Sequence, residues 1–419
     1  VAITAIGILF AATLTAFLGV SMNHIWNLIY SLQMVYYLPL LKVMFPTNLK
    51  QYVEICGISI LHFVPGPIEE LEEGHDSSSY WDGTFEEFGF ETNMFENAWP
   101  SIVVVLLTCA TYAILVPFVK FGNKKYPKAA ARAGKLLYYS LAVRVALFVF
   151  LPLLFAAAVQ VFIFEPGTAG GITSVILCMI GLTGAIALPA GVIYGFKRIR
   201  AGGTQHDLLL TRWAVIFASF KPHVLTQNYY AIWAVRRILF VGALVFLRHE
   251  PIVVMTVLGL LPLVALVYNL VLQPQIDRRE RIIQTCNESL LFLIFGFLAA
   301  FQPDEQSVDY DTRDGFGWFI ITLIIILILL NIVFWFIILA HVFKKKRQKH
   351  TISGGLHPIE IPQRSTVVGE EDDTYRELFK SRLNKKLFPD DMSSFTIREL
   401  EEPEADLSPT TLKAAQHRQ

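Results

Sequence analysis

FGWFIITLIIILILLNIVFWFIILAHVFKKKR, residues 316–347, is a long apolar run that ends in a basic cluster. The apolar part, 316–342, exceeds the roughly 20 residues that a helix needs to cross the hydrocarbon core of a bilayer. The basic cluster consists of Lys344, Lys345, Lys346 and Arg347. Lysines beside a membrane commonly bind anionic lipid and anchor the helix that they terminate. The segment therefore predicts an integral membrane protein whose last helix ends at an inner, lipid-facing basic cluster.

Similar apolar runs recur along the chain. Apolar types make up 54% of the 419 residues and the mean hydropathy is +0.50, which is typical of a membrane bundle. We predict an all-helical bundle of about nine transmembrane helices in residues 1–342, with spans at 1–20, 25–45, 100–120, 136–164, 172–196, 229–247, 251–272, 286–301 and 316–342. The eighth span reaches a usual length only if it begins near Ile283 and carries Asn287 and Glu288 into the membrane.

The gaps between the predicted spans alternate in charge. Residues 120–135 hold six Lys or Arg and no acid, whereas 47–99 hold eleven Asp or Glu against Lys50. Basic loops stay in the cytosol, so this alternation places the C-terminus inside and the N-terminus outside. The expected location is the plasma or ciliary membrane.

The predicted outer loop, 47–99, contains an acidic cluster of Glu69, Glu70, Glu72, Glu73 and Asp76. Two interpretations remain open. The carboxylates could raise the local concentration of cations such as Ca²⁺ at the membrane entrance, or they could serve only the solubility of a solvated loop. Because the spacing does not form a D-x-D-x-D-G loop, we predict no dedicated metal site here.

The tail, 343–419, is rich in Pro, Gly, Ser and charged residues, which predicts a largely disordered cytosolic segment. One part of it, 374–388, has apolar residues on one helical face and basic residues around them. This pattern is typical of a basic amphipathic helix that lies on anionic lipid or enters a partner's groove.

Four charged residues fall within predicted spans: Arg144, Arg236, Arg237 and Glu288. A charge at membrane depth is costly, so each is a candidate functional residue. Either Glu288 pairs with one Arg inside the bundle, or each Arg extends to the interface and meets anionic lipid. Arg236 and Arg237 are adjacent, whereas a voltage sensor carries Arg at every third position, so voltage gating is disfavoured.

No motif in the chain points to catalysis. The histidines show no H-E-x-x-H spacing, no G-x-S-x-G elbow occurs, and the four cysteines do not suggest a disulfide framework. We therefore predict no enzyme, no catalytic residue, no cofactor and no nucleic-acid partner.

Four segments together are similar to a known group of membrane proteins. They are SLQMVYYLPLLKVMFP at 31–46, FEEFGFETNMFENAWP at 85–100, NYYAIWAVRRILF at 228–240 and RRERIIQTCNESLLFLIFGFLAAFQP at 278–303. These segments resemble the C-terminal multi-span region of the TRP-like, polycystin-like membrane proteins of fungi and protists. The resemblance implies a channel-like or sensor-like role, often linked to calcium, at the cell or ciliary surface. It also implies a large, often cysteine-rich or EGF-like ectodomain ahead of the bundle, and Val1, which opens directly into an apolar run, fits that expectation.

Two further classes stay open on the residues alone. The bundle could be a non-conducting membrane anchor for an extracellular fibre or coat, with extracellular structural proteins or its own ectodomain as partners. A secondary transporter is the third possibility. Lipids are partners in every case, and cations are expected partners in the first.

Overall fold

A computed structural model describes residues 23–61, 94–122, 141–162, 169–200, 223–298 and 309–354, together with the positions 64, 85, 88, 90, 220, 221 and 301. The chain divides into two compact units, Val1–His350 and Thr351–Gln419. Of the second unit, only residues 351–354 are described. The predicted helix at 374–388 therefore lies outside the described residues.

The described chain is helical. Its helices are α1 Asn23–Tyr36, α2 Thr47–Cys56, α3 Met94–Gly122, α4 Ala142–Phe162, α5 Ala169–Arg200, α6 Tyr229–Phe246, α7 Pro251–Leu272, α8 Arg278–Phe297 and α9 Tyr310–Gly354. Short 3-10 turns occupy Leu38–Leu40 and Gly57–Ile60, and a single helical turn occupies Val224–Gln227. Within these ranges no strand forms, and one isolated bridge joins Phe220 to Gln275.

Six of these helices, α3, α4, α5, α6, α7 and α9, are long and apolar enough to cross a membrane. The predicted class, an all-helical membrane-embedded protein, is confirmed at this level. The predicted number of nine spans is not confirmed. Residues 1–20 lie outside the described residues, and neither α1 nor α8 belongs to the six candidate spans. The last helix also continues to Gly354, beyond the predicted boundary at 342.

The predicted second span, 25–45, is wrong as one continuous helix. Inside the predicted range the helix α1 ends at Tyr36, so residues 37–45 do not continue it. Pro39 lies in the 3-10 turn that follows, and a proline cannot donate the hydrogen bond that would continue the helix. The chain then re-enters a helix at Thr47, so the first ten residues of the predicted outer loop are helical.

The predicted eighth span starts earlier than expected. Helix α8 begins at Arg278, and the Asp277 side chain caps it by accepting a hydrogen bond of 2.9 Å from the backbone N–H of Arg279. The first two turns are consequently charged, which explains why hydropathy alone placed the start at 286. Eight of its 20 residues are nevertheless buried, and four of those eight are polar or charged.

Consecutive helices from α3 to α9 run antiparallel. The Oε1 of Gln160, near the end of α4, accepts from the backbone N–H of Met94 at the start of α3. At the opposite end, Phe220 stacks on Tyr229, and Tyr229 lies beside Tyr268 of α7. Helices α6 and α8 run parallel to each other, because Arg236 meets Glu288 and Phe240 stacks on Phe295 farther along.

One end of the bundle, where α3, α5, α7 and α9 end and α4, α6 and α8 begin, carries most of the described Lys and Arg; we call it the basic end. Those residues are Lys120, Lys197, Arg198, Lys221, Arg278, Arg279, Arg281 and Lys344. This segregation agrees with the alternation used for orientation, and the assignment of the basic end to the cytosol stays a prediction.

Candidate functional site

An ion pair lies inside the bundle between α6 and α8. The Nη1 of Arg236 donates to the Oε1 of Glu288 at 2.7 Å and lies 2.7 Å from Oε2 as well. Arg236 is 9% exposed and Glu288 is 4% exposed. Of the two interpretations for Glu288, pairing with an arginine is therefore the correct one, because the two side chains meet inside the bundle.

The carboxylate of Glu288 has a second donor on its own helix. The Nε2 of Gln284, one turn earlier, donates to Oε1 at 3.1 Å. Both side chains are buried. Hydrogen bonds to the charged form help to hold a carboxylate in a low-dielectric interior, where an unpaired charge would cost several kcal/mol.

Arg237 follows Arg236 directly but turns to a different face of α6. Its guanidinium carbon lies 3.4 Å from the ring centroid of Trp233 and 5.3 Å from that of Tyr30 on α1. It is only 2% exposed, and no carboxylate pairs with it among the residues that the structure describes. The aromatic faces thus replace an acid as the partner of this cation.

Arg144 belongs to a second charged group closer to the basic end. It lies at the start of α4 and is within electrostatic range of Tyr30, Tyr230 and Glu280. Glu280 is 8% exposed on the first turn of α8. The structure therefore brings Arg236, Arg237 and Glu288 together and places Arg144 apart from them, beside an acid that the sequence reasoning did not single out.

A reciprocal amide pair joins α8 to α9 and was also missed. The Nδ2 of Asn331 donates to the Oδ1 of Asn287 at 2.8 Å, and the Nδ2 of Asn287 donates back at 3.3 Å. Asn331 is the one amide in a long apolar run, and this isolation was the signal that could have identified it. Because Asn287 precedes Glu288, neighbouring residues of α8 connect it to α9 and to α6.

The other predicted site residues lie elsewhere. Glu69, Glu70, Glu72, Glu73 and Asp76 lie outside the described residues, so the cation-gathering loop stays a prediction. The basic cluster continues α9 as helix, with Lys344 exposed, while the side chains of Lys345, Lys346 and Arg347 are not described.

Two side chains of α2, Tyr52 and Cys56, have raised pKa values. Burial raises the pKa of the Cys56 thiol to about 12, and burial also raises the pKa of the Tyr52 phenol. The Cys56 thiol therefore stays protonated at neutral pH and is a poor nucleophile. Over the described ranges, no group of three or more His, Cys, Asp or Glu could hold a metal ion.

No family model, no curated protein and no solved structure matches this chain. The function must therefore be inferred from the buried ion pair between α6 and α8 and the amide pair between α8 and α9.

Proposed function

We propose that this chain is a TRP-like membrane protein of the channel or sensor class, located at the cell or ciliary surface, in which the Arg236–Glu288 pair stabilises one state of the helical bundle. The observation that supports this proposal is the buried ion pair itself. Retaining two charges at membrane depth is costly, and such residues are functional candidates by default. An inert anchor has no need of them.

The pair is proposed to act on the bundle rather than on a permeating cation. Arg236 and Arg237 outnumber Glu288 at this site, so the local formal charge is positive and would repel Ca²⁺ or Na⁺. Cations would instead be gathered outside by the acidic residues of the predicted outer loop. Breaking the pair would release α6 from α8, and the Asn287–Asn331 pair would pass that movement to α9.

Patch recording of the expressed chain tests the proposal. We expect a cation current in response to stretch or ligand rather than to voltage, and we expect Glu288→Gln to change its open probability because the ion pair is lost. The exchanged pair, Arg236→Glu with Glu288→Arg, should restore part of the original gating. The control is Lys197→Gln, since Lys197 is an exposed cation at the basic end.

Absence of any current from the unmodified chain under all three stimuli would contradict conduction. The anchor would then be the better proposal, and crosslinking should recover an extracellular partner attached to residues 47–99. The orientation has its own test, because impermeant labels should reach Lys124 and Glu72 from opposite sides of the membrane.

A further inference from the structure

One face of α8 carries polar residues from the basic end to the middle of the bundle. Arg281, Gln284 and Glu288 are spaced three and four residues apart, so they lie on the same side of the helix. From Arg281 to Glu288 the face extends about 10 Å at the usual helical rise. Gln275, which lies three residues ahead of α8, is a further buried amide near the start of this helix.

Many polar atoms along this face lack hydrogen-bond partners among the described residues. On α8 and just ahead of it they are the Oε1 of Gln275, the Nε of Arg281 and the Oε1 of Gln284, and on α6 they are the Nε and Nη2 of Arg236 and the Nε of Arg237. Each such group left dry in a membrane interior would cost several kcal/mol. Water needs a polar site that offers two to four partners, and this row of atoms offers them continuously.

The polar face stops at Glu288. The same side of α8 continues with Leu291 and Phe295, each 1% exposed, and Phe295 stacks on Phe240 of α6 with 6.2 Å between ring centroids. These side chains are apolar and closely packed, so they leave no partner for water. Water that reaches Glu288 would therefore have to come from the basic end.

The charge along the polar face is positive. Three arginines, Arg281, Arg236 and Arg237, accompany one carboxylate, Glu288, while the nearby acid Glu280 lies within electrostatic range of Arg144. A cleft lined by one sign of charge with low-dielectric walls concentrates counter-ions of the opposite sign. The Nε and Nη2 of Arg236 are the donors that such an anion would meet, and the charge of Arg237 adds to the positive field.

We infer that α6 and α8 line a water-accessible crevice, open at the basic end and closed above Glu288, whose inner end binds a small monovalent anion such as chloride. This inference does not depend on whether the chain conducts ions. A non-conducting anchor could contain the same crevice.

Cysteine accessibility in nanodiscs tests the crevice. In a background with Cys56, Cys109, Cys178 and Cys286 replaced by Ser, Gln284→Cys should react with both anionic and cationic methanethiosulfonates, and Leu291→Cys should not. The exposed reference is Arg278→Cys. The ratio of anionic to cationic rates should be about tenfold higher at position 284 than at 278. If position 284 reacts no faster than 291 there is no crevice, and if the two ratios are equal the anion preference is wrong.

A second measurement uses the chain without cysteine substitutions, in case Gln284→Cys fails to fold. At constant ionic strength, replacing gluconate by chloride should raise the melting temperature of the unmodified protein, because a ligand that binds the folded state stabilises it. The shift should shrink in Arg237→Gln and persist in Lys197→Gln. Equal melting temperatures in the two salts would overturn the anion site.

Discussion

Helices α3 and α8 invert the relation between hydrophobicity and burial that holds in soluble proteins. The 29-residue α3 has a mean hydropathy of 2.6 over its most apolar 18 residues, yet 0% of that stretch is buried. The 20-residue α8 is too polar to be a candidate span, yet Glu280, Gln284, Asn287 and Glu288 are all buried on it. Hydrocarbon is as apolar as leucine, so an apolar helix gains little by leaving it, whereas polar groups must find partners inside.

The largest expected effect comes from breaking the ion pair on the polar helix. Glu288→Ala should lower the free energy of unfolding by about 3–5 kcal/mol, because it leaves the Arg236 guanidinium buried without its counter-charge. The double variant Arg236→Ala with Glu288→Ala should be less destabilised than the sum of the single variants. Thermal unfolding in detergent, followed by size-exclusion chromatography, measures both. Strict additivity of the two single effects would contradict a coupled pair.

The next largest effect concerns Gly317, where the apolar helix α9 lies close to the start of α2. A Cβ added at Gly317 would lie 2.6 Å from both the Oδ1 of Asn48 and the Cγ of Pro46, whereas one at Gly315 would meet nothing within 4 Å. Gly317→Ala should therefore destabilise the protein by about 1–3 kcal/mol through overpacking. Its matched control, Gly315→Ala, should be neutral or slightly stabilising, because alanine favours helix. Equal melting temperatures for the two variants would show that α9 does not pack there.

The contrast between α3 and α8 also explains how much the sequence could predict. Apolar runs such as 316–342 and 251–272 identify spans reliably, because lipid demands a fixed length of apolar helix. The same reasoning misjudged α8, whose start at Arg278 depends on the Asp277 cap and on partners contributed by distant helices. The similar depth of Glu288 and the arginines in their predicted spans was enough to suggest an ion pair. The sequence could not show that the partner is Arg236 rather than Arg237, because this depends on how α6 and α8 pack in parallel.

A smaller effect is expected at the amide pair between α8 and α9. Asn331→Leu removes two hydrogen bonds with Asn287 but leaves an isosteric apolar side chain in an apolar helix. Interhelical hydrogen bonds in membranes are worth about 0.6–2 kcal/mol, so the loss of unfolding free energy should fall in that range. A double-mutant cycle with Asn287→Leu should return a coupling energy of similar size. A cycle without coupling would mean that the two amides do not act as a pair.

The smallest effect is expected on the lipid-facing side of α3. Leu107 is 60% exposed, so we expect its side chain to face lipid and the melting temperature of Leu107→Ala to stay close to that of the unmodified protein. The matched substitution at the start of the same helix is Ala98→Leu. Ala98 is 0% exposed and packs with Met94 and Ala157, so a larger side chain there should destabilise the protein by about 1–3 kcal/mol. If Leu107→Ala were the more damaging of the two, another protein surface rather than lipid would cover this face of α3, and the inversion between α3 and α8 would have to be reconsidered.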